Sequence, residues 1–362
     1  MCKRDKEEGF SFIPKINMKI IYFTILLLLL SGCQKEVITF STKASDVFYV
    51  ENAGASMRVL VEGNTASNTF ILVIHGGPGA GSFVYNTNYI SHNLEDKCAM
   101  VYWDQRNAGA SQGSTNSNNL HISQMVDDLT KVIEVLKYRY GQNMSLFLLG
   151  HSFGGLISAA FVTRSEDQIM IKGLINVDGS HNYPLNDSLT RQMLLTFGLR
   201  QGLYSKKAQK WEKIIQYCLR HTGNFTLEES QQLETYAIKA ESYVDSIDKI
   251  DLIGTVLSHS ITDKSPLTSI LVNLLYSEDS DFNKELLVAN YSGSLSAVTI
   301  PVLVLWGKYD FICPPALGED FFYRISSKDK KMVISPVSGH NLILQDEKLF
   351  CDEVSAFVKK YK

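Results

Sequence analysis

Proline and cysteine are both scarce in this chain, at 8 and 6 of 362 residues. With 24 glycines and no Gly-X-Y period, the composition excludes a collagenous protein, and so few cysteines exclude a small disulfide scaffold. No internal repeat is present, and no Cys-x-x-Cys or His/Cys cluster suggests a metal site. Basic and acidic residues nearly balance, 35 against 38, for a net charge of −3. No dense Lys/Arg run interrupts that balance, so neither a nucleic-acid footprint nor a polybasic membrane patch exists. What remains is 45% hydrophobic and 20% charged, the composition of a globular protein. At this length it forms two domains, or one large α/β domain with an insertion.

The N-terminus carries one apolar run, Ile20 to Leu30. It is too short for a bilayer-spanning helix, which needs about 20 residues, and falls within the roughly 7 to 15 of a signal-peptide core. Met18-Lys19 before it is a minimal positive n-region, so translation is expected to begin at Met18. Leu30-Ser31-Gly32-Cys33 after it resembles a bacterial lipobox, which implies residues 1–32 as signal peptide and Cys33 as the lipidated first mature residue. Several acyl chains suffice for stable anchoring, so the expected location is the bacterial cell envelope. The remaining cysteines, Cys98, Cys218, Cys313 and Cys351, are too irregularly spaced for a staple framework and are expected to be buried thiols.

Short apolar runs bounded by turn residues recur at Phe48 to Val50, Met57 to Val61, Thr69 to Ile74, Ala99 to Trp103, Ser145 to Leu149, Gly173 to Val177, Val302 to Trp306 and Met332 to Val337. The later runs are near-continuous in Ile, Leu and Val, as in parallel strands buried on both faces. The first two read as an antiparallel edge hairpin. A stripe of Val126, Leu129, Ile133, Leu136 and Tyr140, closed by Gly141, reads as an amphipathic helix. Alternating strands and helices predict an α/β fold with a mostly parallel, eight-stranded sheet. The alternation stops after Asp178. Residues 33–180 and 297–362 are therefore expected to form the core, and residues 181–296 an inserted helical cap.

Two G-x-S-x-G segments occur, around Ser111 and Ser152. The motif works where a sharp strand-to-helix turn exposes the serine hydroxyl. Ser152 follows a strand and precedes Gly154, Gly155, Ser158, Ala159 and Ala160, a small-residue helix able to pack closely on a sheet. Ser111 precedes only a Gly/Ser/Asn-rich stretch and reads as a surface-loop residue. In this architecture the chain order is Ser, acid, His. Of the histidines after Ser152, His221 and His259 fall in the cap, whereas His340 follows the last strand. The acid is Asp310, one strand before His340, with Asp178 in reserve or as a helix cap. An oxyanion hole needs the N–H of the residue after the nucleophile, Phe153, and a second from His75-Gly76-Gly77-Pro78-Gly79, for which Gly77 is the choice.

These segments together resemble the prolyl aminopeptidase (proline iminopeptidase) branch of the α/β-hydrolases. The resemblance rests on His75 to Gly79 as H-G-G-P-G, on Asp104-Gln105-Arg106 with Gly109 and Ser111, and on Gly150 to Gly154. It extends to Gly307 to Pro314 with Gly339-His340 downstream. Asn107 stands where the family usually has Gly, and His151-Ser152-Phe153 where many members carry Gly-Ser-Trp. The resemblance implies hydrolysis of short peptides from a free N-terminus, with cap carboxylates holding the α-amino group. Trp211-Glu212 offers Glu212 for that role. An esterase or lactonase would use the same Ser152, His340 and Asp310 without an acidic amine pocket. A third reading is a binding lipoprotein that has lost catalysis. The acyl-transfer chemistry needs no metal or organic cofactor.

Overall fold

The computed structural model describes residues 44–113, 120–202, 207–248 and 281–362. The apolar run, Met18 and Cys33 lie outside these residues, as do His259 and residues 249–280 of the expected cap.

Strands β1 (Ala44–Asn52) and β2 (Ala55–Gly63) form the edge hairpin. Its tight turn is built on Ala53 and Gly54, both at positive φ (44° and 80°), the twist that two-residue hairpin loops require. Then follow β3 (Thr69–Ile74), β4 (Ala99–Trp103), β5 (Gln112–Gly113), β6 (Ser145–His151), β7 (Gly173–Val177), β8 (Val302–Gly307) and β9 (Lys330–Ser335). The sheet runs β1-β2-β4-β3-β6-β7-β8-β9. Every pairing from β4 to β9 along this path is parallel, and β2 meets β1 and β4 antiparallel. All eight expected strands are present. The ninth, β5, pairs with β2 through two residues, too few to leave a periodic signal.

Strands β3, β4, β7 and β8 are buried along their whole length, which is why they read as unbroken apolar runs. The last strand begins two residues earlier than its apolar run because Lys330 and Lys331 pair with Val302 and Leu303 on an edge that tolerates charge. It ends before Pro336, which has no N–H to give.

Helices α1 (Ile122–Tyr140), α2 (Phe153–Val162), α7 (Pro315–Arg324) and α8 (Glu347–Tyr361) flank the sheet. On one face Leu129, Ile133 and Leu136 of α1 pack with Leu72, Val101 and Leu148, and on the other Phe350 and Val354 of α8 pack with Ile71, Leu149 and Leu305. Between β7 and β8 the chain runs through α3 (Tyr183–Gly202), α4 (Ala208–Arg220), α5 (Leu227–Glu241) and α6 (Asp281–Val288). The helical segment is fastened at its base. Asn182 bridges Asn290, Tyr183 N–H donates to the Ala289 carbonyl at 2.9 Å, and Tyr291 N–H donates to the His181 carbonyl at 2.9 Å. Cys98, Cys218, Cys313 and Cys351 are buried free thiols.

Candidate active site

Strand β6 ends in a turn that no ordinary residue adopts without strain. Ser152 sits there at φ 55° and ψ −122°, and a non-glycine residue at positive φ persists only where its surroundings enforce it. The enforcement is close packing. A Cβ on Gly154 would stand 1.9 Å from the Ile74 carbonyl oxygen, and one on Gly155 2.4 Å from the Gly179 Cα. Only glycine lets α2 approach the sheet this closely, and that approach bends the chain at Ser152.

The C-terminal ends of β8 and β9 bring two loops to the same place. His340 Nε2 lies 2.8 Å from Ser152 Oγ, and His340 Nδ1 lies 3.0 Å from Asp310 Oδ2. A carboxylate can only accept, so Nδ1 carries the proton and Nε2 is left to accept from the serine hydroxyl. Asp310 is fully buried. Burial pushes its carboxyl up, while the N–H groups of Cys313 and Ile312, donating to Oδ1 at 2.7 and 2.9 Å, pull it back. Asp178, the reserve acid, is spoken for elsewhere: it accepts from Gly307 N–H at 2.8 Å and Leu342 N–H at 3.2 Å. Burial and then the charge of Asp310 push its carboxyl well up. It fastens the acid-bearing strand to the turn that follows His340.

Gly77 and Phe153 both line the cavity that contains Ser152. Phe153 is the first residue of α2, so its N–H has no carbonyl one turn earlier to bond. Gly77 stands at φ 124°, a conformation that L side chains rarely adopt. The conspicuous Asp104-Gln105-Arg106 segment holds this glycine loop. Asp104 Oδ1 accepts from Ser82 N–H and Oγ–H at 2.8 and 2.7 Å, Gln105 N–H donates to His75 Nε2 at 3.1 Å, and Arg106 pairs with buried Asp128 at 2.7 Å. Ser111 belongs to the same scaffold. It is buried rather than on a surface loop, because its Oγ donates to the Asp104 carbonyl at 2.6 Å and accepts from Arg58 N–H at 2.9 Å.

A buried relay connects the glycine loop to His340. His151 Nε2 lies 2.8 Å from the His340 carbonyl, which can only accept, so Nε2 carries the proton. Burial, then the neighbouring His340, pulls the His151 pKa down to about 3, and the ring is neutral. Its bare Nδ1 therefore accepts from Tyr85 Oη–H at 2.8 Å, and Tyr85 Oη in turn accepts from Gly76 N–H at 3.0 Å. Tyr85→Phe deletes one oxygen and strands a donor and an acceptor, each costing about 1–3 kcal/mol when buried. A thermal midpoint several degrees lower and a kcat down about 10-fold at near-constant KM are expected from melting curves and steady-state kinetics. An unchanged kcat would mean that the relay does not position the base.

The cavity over Ser152 has a volume of about 160 Å³. Its far wall comes from α3 and α5 and includes two carboxylates, Asp187 and Glu234. Asp187 is buried, and its carboxyl is pushed up to about 6 by burial, with the Ser230 hydroxyl pulling it down and the charge of Glu234 raising it. Glu234 opens into the cavity, yet enough protein surrounds it that desolvation pushes its carboxyl up as well, against the opposing pull of His340. Glu212 is not among these groups. It is exposed on α4 and lines a separate surface cavity with Gln216 and Arg220, because its neighbour Trp211 takes the inward face of the helix. Sequence alone does not reveal Asp187 and Glu234: both lie on helices of mixed polarity, and only packing decides which polar residues turn inward.

Fold and site together define an α/β-hydrolase. The family model for the alpha/beta hydrolase fold matches residues 69–347, and the chain belongs to that family. It is similar to the probable aminopeptidase YbaC of Bacillus subtilis, at 21% identity over 84% of this chain and 93% of that one. Among solved structures, the proline iminopeptidase of Mycobacterium smegmatis superposes with a TM-score of 0.60 at 18% identity, covering 88% of this chain and 98% of that one. An esterase from Exiguobacterium antarcticum superposes with a TM-score of 0.53 at 17% identity, covering 86% and 99%.

Proposed function

We propose that the protein is a serine aminopeptidase of the proline iminopeptidase type, cleaving a small N-terminal residue from short peptides. The observation that carries this reading is the pair of carboxylates, Asp187 and Glu234, in the wall of the cavity that holds Ser152. Two acids forced together at a poorly solvated site repel and resist ionisation. A cationic ligand relieves both costs, whereas an ester without a positive charge leaves them uncompensated. The similarity to a probable aminopeptidase and to proline iminopeptidases supports the same substrate class.

In this mechanism a protonated α-amino group lies against Asp187 and Glu234 and sets the first carbonyl over Ser152. His340, oriented by Asp310, takes the Ser152 proton as Oγ attacks that carbonyl. The N–H groups of Phe153 and Gly77 receive the developing oxyanion. Protonated His340 then donates to the leaving amine, and a water activated by the same imidazole hydrolyses the acyl-enzyme. The test compares proline nitroanilide, its N-acetylated form and a short-chain nitrophenyl ester. Cleavage of the free-amine anilide, lost on acetylation, is expected. Turnover of the ester with none of either anilide would make the protein an esterase on the same three residues.

A further inference from the structure

Helix α5 reaches the active site twice. Leu227, Ser230 and Glu234, spaced one turn apart, face the cavity over Ser152. Glu241 lies two turns beyond Glu234, hence on the same face. Its side chain touches both loops that carry the chemistry. Oε1 accepts from His340 N–H at 3.0 Å and from Phe311 N–H, the residue after Asp310, at 3.3 Å.

We propose that Glu241 is a positioning residue that holds the base loop and the acid loop in register through one shared oxygen, tying both to the helix that walls the substrate cavity. The geometry leaves little freedom around it. A Cβ on Gly339 would stand 2.6 Å from Glu241 Oε2, so the residue before His340 is a glycine where the carboxyl group needs the space. The His340 peptide is then held on both sides, its N–H by Glu241 and its carbonyl by His151. The imidazole between them is fixed by its backbone as well as by Asp310.

The role asks for an acceptor rather than a charge. Burial, followed by the nearby charge of Asp310, pushes the Glu241 carboxyl up to about 8, against the pull of His340 and the two N–H groups. In the neutral acid the carbonyl oxygen still accepts both bonds. Glutamine offers the same oxygen at the same reach. Aspartate, one methylene shorter, withdraws it while keeping the site polar and filled.

The inference rests on Ser152, His340 and Asp310 being the reacting groups, and the experiment separates the two ideas. Glu241→Asp and Glu241→Gln are measured on the substrate the wild type cleaves fastest, with Ser152→Ala as the blank and thermal melting to verify folding. Glu241→Asp should lower kcat about 10- to 100-fold, the scale of a displaced catalytic group, with KM within about 3-fold. Glu241→Gln should recover most of that loss. Wild-type kcat in Glu241→Asp, equal damage in Glu241→Gln, or an effect confined to KM would each overturn the positioning role. A blank that still turns over would instead overturn the assignment of Ser152.

Discussion

Ser152→Ala should lower kcat by about 10⁴- to 10⁶-fold and abolish labelling by a fluorophosphonate probe, while the protein melts within a few degrees of the wild type. The size follows from the loss of the hydroxyl that would form the acyl-enzyme, which leaves the oxyanion hole and substrate binding to act on water. The small effect on melting follows from where the strain resides. The φ of 55° at this position is imposed by Gly154 and Gly155 packing against the β3 and β7 ends, and alanine must adopt it as serine does. One hydroxyl-to-imidazole hydrogen bond is lost, and its net worth is about 1 kcal/mol. Substantial residual turnover by purified Ser152→Ala would remove Ser152 from the mechanism.

Replacing Glu234 with Gln and Asp187 with Asn together should cut kcat/KM for a free-amine anilide by about 10²- to 10³-fold, the scale of 2–5 kcal/mol for removing the partner of a buried charge. A nitrophenyl ester lacking the amine should lose less than about 3-fold. The same pair predicts the pH profile. Asp187 titrates near 6, and its carboxylate is charged above that value, so affinity for a cationic substrate falls as pH drops through 6. The substrate α-amino group loses its proton near 8, so affinity falls again above that. The kcat/KM of the anilide should therefore be bell-shaped, with a basic limb that the uncharged ester does not share. Equal losses on both substrates would mean that the carboxylates support the fold of α3 and α5 and do not read the amine.

The sheet was legible in the sequence because its central strands are buried on both faces and so are written in unbroken Ile, Leu and Val. Ser152, Asp310 and His340 were legible for a different reason: Ser152 directly follows β6, Asp310 lies in the loop after β8 and His340 in the loop after the edge strand β9, and local order along the chain is enough to locate them. The residues around them were not. Ser111 satisfies the same five-residue pattern as Ser152, and only its two hydrogen bonds reveal a structural post. Trp211-Glu212 stands in the sequence as an aromatic-acid pair, yet a helix that buries the tryptophan turns the following residue towards solvent. Asp187, Glu234 and Glu241 act through the way separate helices settle on the sheet, and no local pattern encodes that.

The clasp at Asn182 and Asn290 gives the helical segment a further property. Its two ends leave and re-enter through neighbouring parallel strands, β7 and β8, and are pinned together by backbone bonds on both sides of the bridge. Inserting chain between ends already held side by side costs closure entropy that grows only logarithmically with length. The pairing of β7 with β8 therefore hardly senses how long the intervening segment is. The strand ends are thus indifferent to the segment's length, whereas the loops of Asp310 and His340 are tied to its particular shape through the one oxygen of Glu241.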